Sequence, residues 1–148
     1  MFNKSNYQKA IIVDLDGTVA NNSHREHYAK SSQWDEFNAL TLGDTPMEAT
    51  IAAVNGFAMM GYKVVVFTGR QESAAKDTIE WLEKHKMTWH EMEMRRIGDY
   101  SPAPELKRRW FRAYSADCRF ECAFEDDPNV CVMWRELGLH VFRIDRDE

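Results

Sequence analysis

Asp14 and Asp16 stand one residue apart directly after the apolar run Lys9–Val13, and Gly17 and Thr18 follow them. Two carboxylates this close repel each other, and both stay ionised most easily when a cation lies between them. Oxygen ligands of this kind suit a hard divalent cation such as Mg²⁺. Gly17 lets the chain turn sharply and bring backbone N–H groups toward an anion. A second acidic pair, Asp126 and Asp127, offers further oxygen ligands after another apolar stretch. Such a site fits phosphoryl transfer. An aspartate is already ionised at neutral pH and attacks phosphorus without a base to activate it. A second carboxyl group protonates the leaving oxygen and later takes a proton from water. The cation, a lysine and a hydroxyl or N–H group then stabilise charge on the transferring group, and Thr68 and Lys107 are candidates for the last two. Each motif alone has a plainer explanation: a strand-ending turn at Thr68-Gly69-Arg70, a helix N-cap at Asp126-Asp127-Pro128, a surface lysine at 107. Their order along the chain, each after or near a strand, is what joins them.

The elements that must position these residues follow from hydrophobic pattern. Lys9–Val13 and Lys63–Phe67 read as buried strands, the first feeding a tight turn and the second stopped by Thr68-Gly69. Arg119–Phe124 and Leu139–Ile144 are two more, and Met92–Arg95 is a weaker fifth. Between them lie helical patterns at Pro46–Met60, Glu72–Lys86, Pro104–Tyr114 and Pro128–Leu137, the last followed by Gly138 as a C-cap. Strands alternating with helices give an α/β, Rossmann-like, doubly wound parallel sheet with helices on both faces. Ligands in such folds sit at the carboxyl ends of the strands, where Asp14/Asp16, Thr68 and Asp126/Asp127 fall. Residues 19–45 are polar, lack a strand pattern and read as an insert of loop and short helix near that edge. Within it Trp34 and Phe37 either stack on a base or pin the insert to the core.

These residues resemble a known family. Asp14-Leu15-Asp16-Gly17-Thr18, Thr68, Lys107 and Asp126-Asp127 match, in order, the four motifs of haloacid dehalogenase (HAD) superfamily phosphatases. The segments GYKVVVFTGRQESAAKDTIEWLEKH, MRRIGDYSPAPELK and EDDPNVCVMWRELGLHVFRI are similar to the phosphatase domain of bacteriophage-type polynucleotide kinase/phosphatases, over nearly the whole chain. The resemblance implies a HAD-like fold with no large cap, Asp14 as nucleophile and Asp16 as general acid/base. It implies that Thr68 and Lys107 hold the phosphoryl group. Mg²⁺ would be held by Asp14, the backbone carbonyl of Asp16, and Asp126 or Asp127. Arg25 and Arg70 match arginines that bind substrate, with Gly17, Thr18 and Gly69 beside it. Two features depart from the family. No GxxxxGK[ST] loop occurs, so a kinase would be a separate protein. The stretch after Gly98-Asp99-Tyr100 reads Ser101-Pro102-Ala103-Pro104, where the family often carries a basic residue and an Asp.

Composition narrows the setting. The 148 residues suit one domain spanning 1–148, with 44% hydrophobic and 29% charged residues. No apolar run approaches the ~20 residues of a membrane span. The first residues lack an apolar signal core, and three cysteines (Cys118, Cys122, Cys131) show no pairing pattern. A cytoplasmic setting, bacterial or phage-infected, is expected. Net charge is −5, yet residues 95–119 hold seven Lys/Arg against three Asp/Glu. That basic stretch either binds a phosphate ester or strand end, or is a solvated helix face. Three readings compete. The first is a Mg²⁺-dependent phosphomonoesterase acting on nucleic acid 3′-phosphates or nucleotides, with a kinase or ligase as possible partner. The second applies the same chemistry to a small metabolite such as a 5′-nucleotide or sugar phosphate. The third is a non-catalytic nucleotide-binding protein.

Overall fold

The structure, a computed structural model, describes residues 7–145. The start of the chain, read above as lacking a signal core, lies outside them up to residue 6. The strands are β1 (Gln8–Val13), β2 (Ala20–Asn21), β3 (Thr45–Pro46), β4 (Lys63–Gln71), β5 (Glu91–Arg95), β6 (Cys118–Glu125) and β7 (His140–Arg143). The helices are α1 (Glu26–Lys30), α2 (Trp34–Ala39), α3 (Glu48–Met59), α4 (Ala75–Lys84), α5 (Ala103–Tyr114) and α6 (Pro128–Glu136). Five strands form one parallel sheet in the order β5-β4-β1-β6-β7. The order reverses at β1: the chain moves outward to β4 and β5, then returns to β6 and β7 on the other side. Strand alternation sorts the core. Ile11, Val13, Val64 and Val66 pack with Ile51 and Val54 of α3 and Trp81 and Leu82 of α4. Ala10, Ile12, Val65 and Phe67 face α5 and α6, against Trp110, Phe111, Val130, Met133 and Trp134.

Three local features differ from the sequence reading and bear on the site. Strand β4 does not stop at Thr68-Gly69. It runs on to Gln71, with its register against β5 shifting between Thr68 and Gln71. The insert is closed by strands where none was expected, a two-residue antiparallel ladder pairing Ala20 with Pro46 and Asn21 with Thr45. In β6 the register against β1 jumps from Ala10–Phe120 to Ile11–Cys122, leaving Glu121 as a bulge. A bulge of one residue exchanges the faces of the strand beyond it. Cys118 and Phe120 lie on the α5/α6 side, whereas after the bulge Ala123 lies there and Cys122 and Phe124 lie on the other. Glu125 therefore falls on the α5/α6 side.

Cys118, Cys122 and Cys131 are buried free thiols within the packing. No helix among the described residues is long and apolar enough to cross a membrane. Phe67 is fully buried and meets the rings of Trp110, Tyr114, Phe120 and Trp134 at centroid distances of 5.5, 5.5, 6.1 and 6.3 Å. Phe67→Ala is expected to cost about 3–5 kcal/mol, read from the urea midpoint. The Asp127 carboxylate accepts from the amides of Asn129 and Val130 and caps α6. Asp127→Ala should cost about 1 kcal/mol on the same measurement.

Candidate active site

Asp14 follows β1 directly, and its amide donates to Phe124 O at 3.0 Å, which ties it to the end of β6. Its carboxylate is buried, and each of its oxygens accepts a hydrogen bond. Lys107 Nζ donates to Asp14 Oδ1 at 2.8 Å, and Thr18 Oγ1 donates to Oδ2 at 3.0 Å. The same Lys107 ammonium donates to Glu125 Oε1 at 2.7 Å. Lys107 reaches them from the sheet-facing stripe of α5, between Leu106 and Trp110, which opens after Pro102. Oxygens of Asp14, Glu125 and Asp126 all lie within 4.8 Å of one another. Three carboxylates against one ammonium leave a negative excess in a poorly solvated place. A hard divalent cation among oxygen donors removes it, so this donor set fits such an ion.

The ionisation of the cluster follows from its contacts. Burial alone would raise the Asp14 carboxyl, but the Lys107 charge and neighbouring hydrogen bonds outweigh it and hold it below its ordinary value. Glu125 goes the other way: burial and then the Asp14 charge push it well above the usual carboxylate range, against the pull of Lys107. Burial disfavours the charged form of Lys107, yet the two carboxylates beside it raise its pKa above the ordinary lysine value. Asp14 thus stays a carboxylate at neutral pH, held at its oxygens rather than free to rotate.

Asp16 points into a second ionic group. Arg70 Nε donates to both its oxygens at 3.1 Å, and Arg70 Nη2 donates to Oδ1 at 2.6 Å. Arg25 Nη2 donates to Oδ1 at 3.1 Å, the fourth guanidinium contact of this carboxylate and the third at that oxygen. Behind them sits Asp44, from the end of the insert, which accepts from Arg25 Nε and Nη2 at 2.8 Å and from Arg70 Nη2 at 3.0 Å. Arg25 Nη1 donates to Phe37 O at 2.9 Å, and its guanidinium lies 4.1 Å from the Phe37 ring centroid. Arg70 also donates to Thr78 Oγ1 at 3.0 Å.

Several expected residues gain different places. Arg25 was expected to touch substrate; its side chain is 0% exposed and all three of its nitrogens are engaged. In this arrangement it acts through Asp16 and Asp44. Of Asp126 and Asp127, either of which was expected beside the metal, Asp126 stands in the acidic cluster together with Glu125, and the Asp127 carboxylate is turned to the start of α6. The bulge at Glu121 sets the face on which Glu125 lies, and Asp127, beyond the strand, is the N-cap of α6. The Asp16 carboxylate lies with the arginines rather than in that cluster. Gly17 adopts φ 79°, as its turn requires, but its amide donates to Ala20 O at 2.9 Å and does not face an anion. The amides of Thr18, Val19 and Ala20 all return to Leu15 O. Thr68 is buried, its Oγ1 accepting from the Arg70 amide at 3.1 Å. Asp44 and Glu125 were missed. Glu125 was legible as the first residue of an acidic run after a strand; Asp44 carried no signal but its charge.

Beside Asp16 opens a cavity of about 360 Å³, whose walls include Trp34, Phe37, Gly69, Arg70, Arg95 and Tyr100–Ala103. Within the basic stretch, Arg95 and Arg109 brace the 99–101 loop that forms one wall. Arg95 Nη1 donates to Asp99 O and Ser101 O at 3.0 and 2.7 Å, and Arg109 donates to Asp99 Oδ2 and Ser101 Oγ. Hydrogen bonds from Ser101, then from Arg109, hold the Asp99 carboxyl down to about 2.

Comparison with known proteins agrees with this geometry. Residues 8–148 match the family described as the polynucleotide kinase PNKP phosphatase domain. The chain is 28% identical over 145 residues to a protein of Autographa californica nuclear polyhedrosis virus named as a bifunctional polynucleotide kinase/RNA ligase; the match covers 95% of this chain and 20% of that one. It superposes on a chain of the Pnkp1/Rnl/Hen1 complex with a TM-score of 0.82 and 25% identity, over 100% of this chain and 50% of that one. A class C acid phosphatase from Bacillus anthracis shares the fold at a TM-score of 0.67 and 19% identity, over 84% of this chain and 54% of that one. The chain therefore spans half or less of the length of the first two relatives. With its match to the family running from residue 8 to residue 148, the chain belongs to the polynucleotide kinase phosphatase-domain family and is a HAD-type phosphatase.

Proposed function

We propose that the chain is a Mg²⁺-dependent phosphomonoesterase that removes 3′-phosphates from nucleic acid ends or nucleotides through an aspartyl-phosphate on Asp14. The observation that carries the reading is the Asp14 carboxylate, buried at a strand end, held ionised by Lys107 and placed within 4.8 Å of the oxygens of Glu125 and Asp126. A polynucleotide substrate is supported by the family match and by the kinase/ligase name of the viral relative, and the 3′-end preference is what the resemblance to polynucleotide kinase/phosphatases implies. A kinase or ligase partner belongs to the same reading. So does a cytoplasmic setting, with which three free buried thiols accord.

In the proposed reaction an Asp14 carboxylate oxygen attacks phosphorus as the bond to the leaving oxygen breaks. That oxygen takes a proton from the Asp16 carboxyl. A water molecule then gives a proton to Asp16 and attacks the same phosphorus. The bond to Asp14 breaks, which frees inorganic phosphate and restores the carboxylate. Asp16 Oδ2, which meets one guanidinium contact against three at Oδ1, is the oxygen open to carry the proton. Lys107 faces charge that develops on the phosphoryl oxygens. Bound at Asp14, Asp126 and Glu125, the divalent ion supplies charge neutralisation and a fixed position for the phosphoryl oxygens.

Asp14→Asn is expected to abolish phosphate release from a 3′-phosphorylated oligonucleotide and leave the urea midpoint near wild type. Asp126→Asn should remove turnover as well, whereas Asp127→Ala should lose stability and keep most of it. Activity retained in Asp14→Asn would overturn the nucleophile, and release that favours 5′-nucleotides or sugar phosphates would move the substrate to small metabolites.

Glu125 gives a pH signature. Between the ordinary value of 4.5 and its raised value, the folded protein holds a proton that the unfolded chain has lost. Stability without metal should therefore fall as pH rises from about 4.5 through that raised value. Asp14, ionised in both states over this window, adds no slope. Saturating Mg²⁺ should offset the fall, because it binds the ionised cluster. Urea midpoints across pH, with and without Mg²⁺, check both; a profile indifferent to the metal would count against the site.

A further inference from the structure

The cavity beside Asp16 has a feature that phosphate chemistry does not need: aromatic rings offered to solvent on rigid supports. Tyr100 is 87% exposed, yet both of its neighbours are fixed. Ser101 N and Oγ donate to Asp99 Oδ1 at 2.9 and 2.6 Å, and Arg95 and Arg109 brace the same loop. Trp34, which opens α2 on the insert, is 50% exposed and stands edge-on to Phe37 at 5.7 Å and 89°. Phe37 is buried and its ring is already covered by the Arg25 guanidinium, so Trp34 rather than Phe37 keeps a face for a ligand. Both exposed rings line the one cavity that also holds Asp16. Its volume, about 360 Å³, falls in the range of small-molecule sites, and the 102–103 wall is apolar. Exposing two large rings to water is unfavourable unless a partner covers them. Planar, neutral heteroaromatic groups are the partners that stack on such rings whatever their substituents.

We infer that this cavity is a base-stacking slot, in which Trp34 and Tyr100 hold the nucleobase of the nucleotide that carries the scissile phosphate. The inference rests on the function proposed above and names what its substrate presents next to the phosphate. Stacking here adds affinity without base identity, since every base has a π face. The slot selects a nucleotide against a sugar phosphate that has nothing to place there. The supporting chain Trp34–Phe37–Arg25–Asp16 ties the slot to the residue expected to protonate the leaving oxygen. Trp34 and Tyr100 are thus specificity residues, with no part in bond breaking.

The test compares a 3′-phosphorylated oligonucleotide bearing a normal terminal base with one whose terminal residue is abasic, and with a 3′-mononucleotide. The wild-type protein should prefer the base-bearing oligonucleotide by about tenfold in kcat/KM. Trp34→Ala and Tyr100→Ala should each erase much of that preference by raising KM on the base-bearing substrates, with kcat and the abasic substrate little changed. Equal treatment of the two oligonucleotides by wild type, or equal losses on both in the variants, would overturn the slot. A loss in the variants that spares the mononucleotide would overturn its assignment to the terminal base. Should wild type release phosphate from none of the three, the phosphatase substrate fails separately. The slot is then judged by tryptophan emission: quenching on titration with a 3′-mononucleotide, lost in Trp34→Phe, supports it, and no quenching overturns it.

Discussion

One buried ammonium organises the catalytic edge of this protein. Lys107 bridges Asp14 and Glu125 at 2.8 and 2.7 Å from a helix face that otherwise packs apolar groups on the sheet. Leaving either carboxylate buried without it would cost several kcal/mol, about 3–5 in comparable cases. That penalty couples three separate elements. The end of β1 supplies Asp14, the end of β6 supplies Glu125, and the first turns of α5 supply Lys107. Their relative heights must match to within hydrogen-bond tolerance, and the packing of Phe67, Trp110 and Trp134 beneath them fixes those heights. The Lys107 bridge still leaves a negative excess once Asp126 is counted, and that excess is what invites a divalent ion.

The second ionic group solves a different problem. Asp16 sits on a turn, where it would otherwise move freely, and the proposed proton transfer needs it in one place. Arg25 and Arg70 fix it, and Asp44 fixes them. Because Arg25 and Asp44 both come from the insert, the insert is joined to the site by buried charge as much as by packing. Asp44 O also accepts from Trp81 Nε1 at 2.9 Å, which ties this group to α4. A short insert of turns and one-turn helices gains its order from those bonds, since helices of five and six residues are not stable alone.

Much of this was legible in the sequence, and the failures have physical causes. The β-branched runs and the helical periods gave the parallel sheet, and the strand-end position of Asp14 followed, whereas Thr68 lies inside β4, which runs on to Gln71. Lys107 could also be read as buried, because it falls in the apolar stripe of α5 with Ala103, Leu106, Trp110 and Phe111. The fourth motif was read as Asp126-Asp127, of which Asp126 stands in the acidic cluster, and Glu125 beside it was missed. A bulge leaves no trace in composition, and the Glu121 bulge exchanges the faces of β6, so that Glu125 turns to Lys107. Arg25 was placed by resemblance near substrate; nothing local could show that three carboxylate and carbonyl partners, 12 to 19 residues away and at Asp16, enclose it.

The two ends of the site obey different rules. The charged end lies on strand termini and a helix stripe, where a shift of one residue would flip side chains out of register. The cavity wall at Tyr100–Ala103 lies on a loop braced by Arg95 and Arg109 through backbone carbonyls and through Asp99 and Ser101. The bonds to the Asp99 and Ser101 carbonyls place no demand on side chains, those to Asp99 Oδ2 and Ser101 Oγ do, and Pro102 and Ala103 take part in none of them. The Ser101-Pro102-Ala103-Pro104 stretch can therefore replace polar residues with apolar ones while Lys107, three residues on, keeps its place in the core. On the proposed function, changes on that wall would alter the fit of the substrate, whereas a change at Asp14, Lys107 or Glu125 would leave a buried charge unpaired.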